Sequence, residues 1–168
     1  MKTELTQILN SVKNGSMTVE EAALKLKITP FEDIGYAKID LHRKIRQGAA
    51  EVIYGAGKTA VQIAGITETM LKNGQENILI TRLDPKAAEF LKKTVELDYH
   101  EDAKIGIIGQ IPAPDGIGKI VVAAGGTSDI PVAEEAALTA EVLGNQVERL
   151  YDVGVAGLHR LLKHLDEI

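Results

Sequence analysis

Residues Ile120 to Ala124 are continuously apolar, and the chain then passes through Gly125-Gly126-Thr127-Ser128-Asp129 into Ile130-Pro131. A short unbroken apolar run suits a strand buried in a parallel sheet. The glycines and small polar residues make a tight corner, and Pro131 fits the first turn of a helix that Gly144-Asn145 stops near Leu143. Parallel strands need a crossover between them, so a strand that turns through a glycine corner into a helix points to an α/β fold. The same order recurs upstream. Glu51 to Tyr54 reads as a strand, Gly55 to Thr59 as a corner, and Thr59 to Lys72 as a helix stopped by Asn73-Gly74. Ile78 to Thr81 is the next strand, and Asp84-Pro85 caps and opens a helix to about Leu97. Tyr99 opens another extended stretch, Lys104 to Gly109 a strand, Val147 to Asp152 a further one, and Gly154 or Gly157 begins a final helix that runs to the end.

The amino-terminal residues differ. Leu5, Ile8, Leu9 and Val12 recur at helical spacing until Asn14-Gly15. Ser16 or Thr18 caps a second helix, with Glu21 completing a capping box after Thr18, and Thr29-Pro30 ends it. Ile34 to Leu41 then reads as a strand. Three segments result: a helical hairpin over 1–30, an α/β domain over 31–110, and a second α/β segment over 119–168. The prolines and glycines of Gln110 to Gly118 form the linker before that last segment. A hairpin of this size buries too little surface to stand alone. A two-stranded parallel sheet in the last segment leaves edges and faces uncovered, so it joins the preceding sheet, pairs with another chain, or belongs to a fragment.

Aromatic residues make up only 4% of the chain, so its core must be built from Ala, Val, Leu and Ile. A formal net charge of −5 argues against broad attraction to nucleic acid or to an anionic membrane. The chain contains no cysteine, which excludes disulfides and a thiolate nucleophile of its own. The first residues lack the apolar core of a secretory signal and no apolar run approaches a membrane span, so a cytoplasmic location is expected.

Four stretches could carry chemistry. At Gly125 to Pro131 a helix begins after a strand, where backbone amides attract anions and Ser128 adds a hydroxyl; capping by Ser128 or Asp129 accounts for the same residues. Gly55-Ala56-Gly57-Lys58-Thr59-Ala60 matches the G-x-G-x-x-A form of the dinucleotide fingerprint, with Asp84 near the place of the ribose acid. It is not a Walker loop, and a glycine turn capped by Thr59 explains it equally well. Asp40 to Gly48, with His42, Arg43, Lys44 and Arg46, is the densest basic cluster, suited to phosphates or simply solvated. In Asp152 to Arg160, His159 could act as acid or base and Arg160 could hold an anion; a lone helical histidine is more often ordinary surface or core. No metal motif is visible in the sequence.

Taken in order, Asp40, Arg43-x-x-Arg46-x-Gly48, Glu51-Val52-Ile53-x-Gly55-x-Gly57-Lys58-Thr59, Gly126-Thr127-Ser128-Asp129-Ile130-Pro131-Val132-Ala133-Glu134-Glu135-Ala136 and Val147 to Arg160 resemble the LarB family of nickel-pincer cofactor biosynthesis. The resemblance spans essentially the whole chain; Gly48-Ala49-Ala50-Glu51 departs from the family's usual Gly-Phe-Pro-Glu. It implies that the last segment is the first half of a PurE-like, flavodoxin-like parallel three-layer sheet, similar to aminoimidazole ribonucleotide carboxylases and mutases. It implies carboxylation of the pyridinium ring of nicotinic acid adenine dinucleotide and cleavage of its phosphoanhydride, releasing AMP, with bicarbonate or CO2 and magnesium (Mg2+). By the resemblance, Asp129 and His159 stand at the catalytic positions. Arg43, Arg46, Gly55, Gly57, Lys58, Thr59, Arg82, Gly126, Thr127, Ser128 and Arg160 stand at the substrate-binding ones. The family's nucleophilic cysteine lies in a later segment, so this chain is expected to be an incomplete, amino-terminal part. A homo-oligomer, or a partner chain supplying the rest, is also implied. A nucleotide-binding or assembly module without catalysis, and a PurE-type carboxylase or mutase, are the alternatives.

Overall fold

A computed structural model describes residues 2–28, 31–41, 43 and 48–165, with side chains from residue 6 onward except 26–28. Within it the chain forms two compact units, Met1–Glu51 and Val52–Ile168.

The first unit opens with α1 (Lys2–Lys13) and α2 (Val19–Ile28). Gly15 turns the chain at φ 75°, a left-handed conformation that glycine adopts without a Cβ clash. The expected capping box is present: Glu21 N–H donates to Thr18 Oγ1 at 3.1 Å, and Thr18 N–H donates to Glu21 Oε2 at 2.9 Å. Thr29-Pro30 lies outside the described residues. The strand expected over Ile34 to Leu41 is instead a hairpin of β1 (Phe31–Asp33) and β2 (Lys38–Asp40). Asp33 Oδ1 accepts from Gly35 N–H at 2.8 Å and Gly35 sits at φ 87°, so a turn replaces the first half of that strand. Ala22 and Ile39 are buried, whereas Leu9, Val19 and Leu24 are each more than half exposed. That is the thin core expected of so small a helical hairpin.

The second unit begins with β3 (Ile53–Tyr54), α3 (Ala60–Lys72), β4 (Ile78–Thr81), α4 (Pro85–Leu91), β5 (Asp98–His100) and β6 (Ile105–Ile108). Its sheet has the order β3-β4-β6-β5. β3 and β4 are parallel, as expected of strands joined through a helix, but β6 runs antiparallel to both β4 and β5. The sheet is therefore mixed, because the short turn at Glu101–Lys104 joins β5 to β6 directly, with Lys104 at φ 52°. Ile78, Leu79 and Ile80 are exposed by 0%, 2% and 0%, so both faces of this sheet are covered. α4 stops at Leu91, short of Leu97: the Thr94 hydroxyl donates to the Leu91 carbonyl, and β-branched Thr94 and Val95 follow.

Residues 110–118 form no helix or strand, and the compact unit runs through them. β7 (Lys119–Ala123), α5 (Ile130–Val142), β8 (Gln146–Leu150) and the short α6 (Leu158–Leu162) complete the unit. β7 and β8 pair in parallel from Lys119↔Gln146 to Ala123↔Leu150 and form a sheet of their own. β8 ends before Tyr151 because Asp152 turns at φ 58°, and the final helix stops at Leu162. The expectation that β7 is buried fails. Lys119, Ile120 and Ala123 are exposed and Val121 and Val122 only half-buried, because one helix, α5, lies against the pair and no third strand joins it among the described residues.

α5 serves both sheets. Its Leu138 and Val142 pack with Leu79, Ala103, Ile105, Ile107 and Val52. Its Glu134 and Glu141 turn to β8, where Arg149 Nη2 donates to Glu141 Oε2 at 2.9 Å and Arg149 Nε to Glu134 Oε1 at 3.1 Å. The Tyr151 hydroxyl also donates to Glu134 Oε1, at 2.7 Å. The bonds from Arg149 hold the Glu141 carboxyl below its ordinary value. Burial, then the bond to Glu134, pushes the Tyr151 phenol up to about 12.

Candidate functional site

The glycine corners sit at the carboxyl ends of the parallel strands. After β3, Gly55 N–H donates to the Thr81 carbonyl at 2.7 Å, and Lys58 N–H donates back to the Gly55 carbonyl at 3.0 Å. A Cβ on Gly55 would stand 2.9 Å from Thr81 O and 3.0 Å from Arg82 O, so the corner closes on β4 only with glycine there. Gly57 turns at φ 77°. Thr59 caps α3 through Gln62: Gln62 N–H donates to Thr59 Oγ1 at 3.2 Å, and Thr59 N–H donates to Gln62 Oε1 at 2.9 Å. The Lys58 ammonium folds back to the Tyr54 carbonyl at 2.7 Å.

Arg82, just past β4, has φ 52°, uncommon for a residue with a side chain. Its Nε and Nη2 lie 2.8 Å from Glu135 Oε1 and Oε2 of α5, a two-pronged pair. Asp84, read as a ribose-binding acid, accepts at Oδ1 from the Lys86 N–H at 2.9 Å and so caps α4.

After β7, Ala124 N–H donates to Leu150 O at 2.9 Å, Val153 N–H to Ala124 O at 3.0 Å, and Gly154 N–H to Gly125 O at 2.9 Å. A Cβ on Gly154 would fall 2.4 Å from Gly125 O, so these two loops meet backbone to backbone. Asp129 holds the N-cap position of α5 but makes no cap bond there; its Oδ2 accepts from Gly126 N–H at 3.0 Å. The Thr127 and Ser128 amides, at the start of the helical turn, donate to no other described group. Arg160 Nη1 pairs with Asp152 Oδ2 at 2.5 Å and folds over Gly157, where a Cβ would stand 2.8 Å from Arg160 Nε. His159 is exposed on α6.

The structure thus brings Gly126, Thr127, Ser128 and Asp129 beside the loop that leads to His159 and Arg160. It groups Gly55, Gly57, Lys58 and Thr59 with Arg82. The Arg82–Glu135 pair links the Gly55–Thr59 corner to α5, the helix that starts at the Gly126–Asp129 corner. Arg43 belongs to the other compact unit, where its Nη1 lies 3.5 Å from Glu51 Oε1. Arg46, with His42 and Lys44, lies outside the described residues. Sequence reasoning assigned no role to Glu135 or Glu134. The available signal was two adjacent acids on one helix, which face different neighbours, together with an arginine inside strand β8. Among the described residues, no three His, Asp or Glu side chains gather to hold a metal ion. No helix among them is long and apolar enough to cross a membrane.

Fold and corners define an α/β protein with glycine turns where such sheets take ligands. The model of the LarB/PurE-like N-terminal domain matches residues 31–110. An uncharacterized protein of Methanocaldococcus jannaschii is 35% identical over 172 aligned residues, covering 98% of this chain and 67% of that protein. The chain belongs to the LarB-like family.

Proposed function

We propose that this chain binds a pyridine dinucleotide, nicotinic acid adenine dinucleotide, as part of a LarB-type synthase of pyridinium biscarboxylic acid mononucleotide. The supporting observation is the pair of glycine corners within one compact unit, joined through Arg82 and Glu135. Open amides at Thr127 and Ser128, together with the cations Lys58, Arg82 and Arg160 of the same compact unit, suit a ligand with two phosphates. Three of the proposed binding cations have a role without ligand: Lys58 holds Tyr54 O, Arg82 holds Glu135 and Arg160 holds Asp152. Each is thereby kept near a corner, and a phosphate competes for it. Asp129, tied to Gly126, orients the second corner, and His159, on the helix after the loop that bonds Gly125, is the acid–base candidate.

Ring carboxylation needs a nucleophilic carbon, and a pyridinium ring is electron-poor. With no cysteine, this chain has no thiolate to add to the ring and reverse its polarity. The reading therefore separates binding from turnover. Titration calorimetry is expected to show dinucleotide binding that weakens about tenfold in Lys58→Ala, as for loss of one charged contact. With bicarbonate and magnesium present, no AMP is expected to be released. Absence of binding to the dinucleotide and to AMP alike would overturn the reading; steady AMP release would overturn the separation.

A further inference from the structure

Glu135 engages Arg82 with both of its oxygens, Oε1 to Nε and Oε2 to Nη2, each at 2.8 Å. The Glu135 side chain is 17% exposed and that of Arg82 49%, so the acid is enclosed while the cation faces outward. The Arg82 backbone belongs to the first corner, because its carbonyl lies 3.0 Å from where a Gly55 Cβ would stand. Its φ of 52° is unfavourable for a residue with a Cβ, and such strain is kept where the surroundings hold it. Glu135 lies on α5 (Ile130–Val142), about 7.5 Å along the axis from Ile130, where the second corner ends. Glu134, one residue earlier, faces β8 and accepts from Arg149 and Tyr151.

A bare arginine attracts any small anion. An arginine closed by a carboxylate gives way to a ligand that offers the same two-oxygen spacing and more charge. A diphosphate brings two charges against one. A lone carboxylate exchanges like for like and leaves the enclosed Glu135 without its cation.

We propose that Glu135 is the specificity-determining residue of the first corner. It occupies Arg82 until a diphosphate displaces it, and so directs the diphosphate of a pyridine dinucleotide, rather than its ring carboxylate, to Arg82. This rests on the dinucleotide reading above and adds the residue that sorts the two anionic ends of that ligand. An internal competitor lowers apparent affinity in proportion to the time it occupies the cation, so removing its charge tightens binding.

Titration calorimetry of the full chain with nicotinic acid adenine dinucleotide tests this. Glu135→Gln keeps the shape, removes the charge and is expected to tighten binding roughly fivefold, as for a half-exposed pair. A folding defect would weaken binding instead. Glu134→Gln makes the same change of charge one residue away and is expected to give no gain. The double variant Arg82→Ala/Glu135→Gln is expected to bind no better than Arg82→Ala. With nicotinamide adenine dinucleotide, which carries an amide in place of the ring carboxylate, the Glu135→Gln gain is expected to persist. Unchanged or weaker binding in Glu135→Gln, an equal gain in Glu134→Gln, a gain that survives without Arg82, or a gain lost with the amide ligand would each overturn the proposal. Any of these, with the unsubstituted chain still binding the dinucleotide, leaves the broader reading standing; no binding by the unsubstituted chain and every variant overturns both.

Discussion

The strand–helix–strand unit of β3, α3 and β4 and that of β7, α5 and β8 are built alike. In each the first strand turns at a glycine corner whose backbone amide bonds the end of the second strand, Gly55 to Thr81 and Ala124 to Leu150. In each a residue with a side chain follows that second strand in the left-handed region and forms an ion pair, Arg82 with Glu135 and Asp152 with Arg160. Their surroundings differ. β4 lies inside a four-stranded sheet with both faces covered, whereas the β7–β8 pair, with α5 against it, is joined by no third strand among the described residues. Local sequence sets the corner; neighbouring strands decide whether the strand behind it is dry.

The widest gap between the units should appear in their cores. Ile80→Ala, at a position with 0% exposure, is expected to destabilise the protein by about 3 kcal/mol in urea unfolding, whereas Val121→Ala should cost under about 1 kcal/mol. Equal losses would break the comparison. A smaller effect is expected inside the second corner. Gly154→Ala drives a methyl into Gly125 O and should cost about 2 kcal/mol, while Gly126→Ala, whose nearest contact is 3.8 Å away at Asp129 Oδ2, should be close to neutral by the same measurement. The smallest effect expected is electrostatic. Glu141 has its carboxyl held below the ordinary 4.5 by Arg149, so the folded state binds fewer protons than the unfolded chain just below that value. Its contribution is complete above pH 4.5 and is lost as pH falls through the lowered folded value. Glu141→Gln should flatten that part of the acid-unfolding profile; an unchanged profile would show that Arg149 does not anchor α5 in this way.

Much of the local order was legible. Thr18 with Glu21, Thr59 before α3, Asp84-Pro85 before α4 and the glycine stops after α3 and α5 each declare a boundary through hydrogen bonds made within a few residues. The hairpin at Phe31–Asp40 was misread because Ile34 and Ala37 look like strand residues while Asp33 and Gly35 set the turn. β7 shows the deeper limit. Ile-Val-Val-Ala describes a strand that suits burial on both faces, but burial depends on what lies beside it, which the run itself does not encode. At the candidate site the glycines could be read from spacing, and so could Lys58 and Ser128. The Arg82–Glu135 pair could not, because its members stand 53 residues apart and meet only when α5 docks on the four-stranded sheet.

That α5 belongs to both sheets has a consequence for how the larger unit comes apart. Peeling β7 and β8 away pulls at Arg149, Glu134 and Glu141, and through the same helix at Leu138 and Val142. The weaker pair and the dry core therefore melt in one cooperative step. A protease nicking the loop over 110–118 would find no stable smaller kernel to leave behind, because removing α5 uncovers Leu79, Ile105 and Ile107 at once.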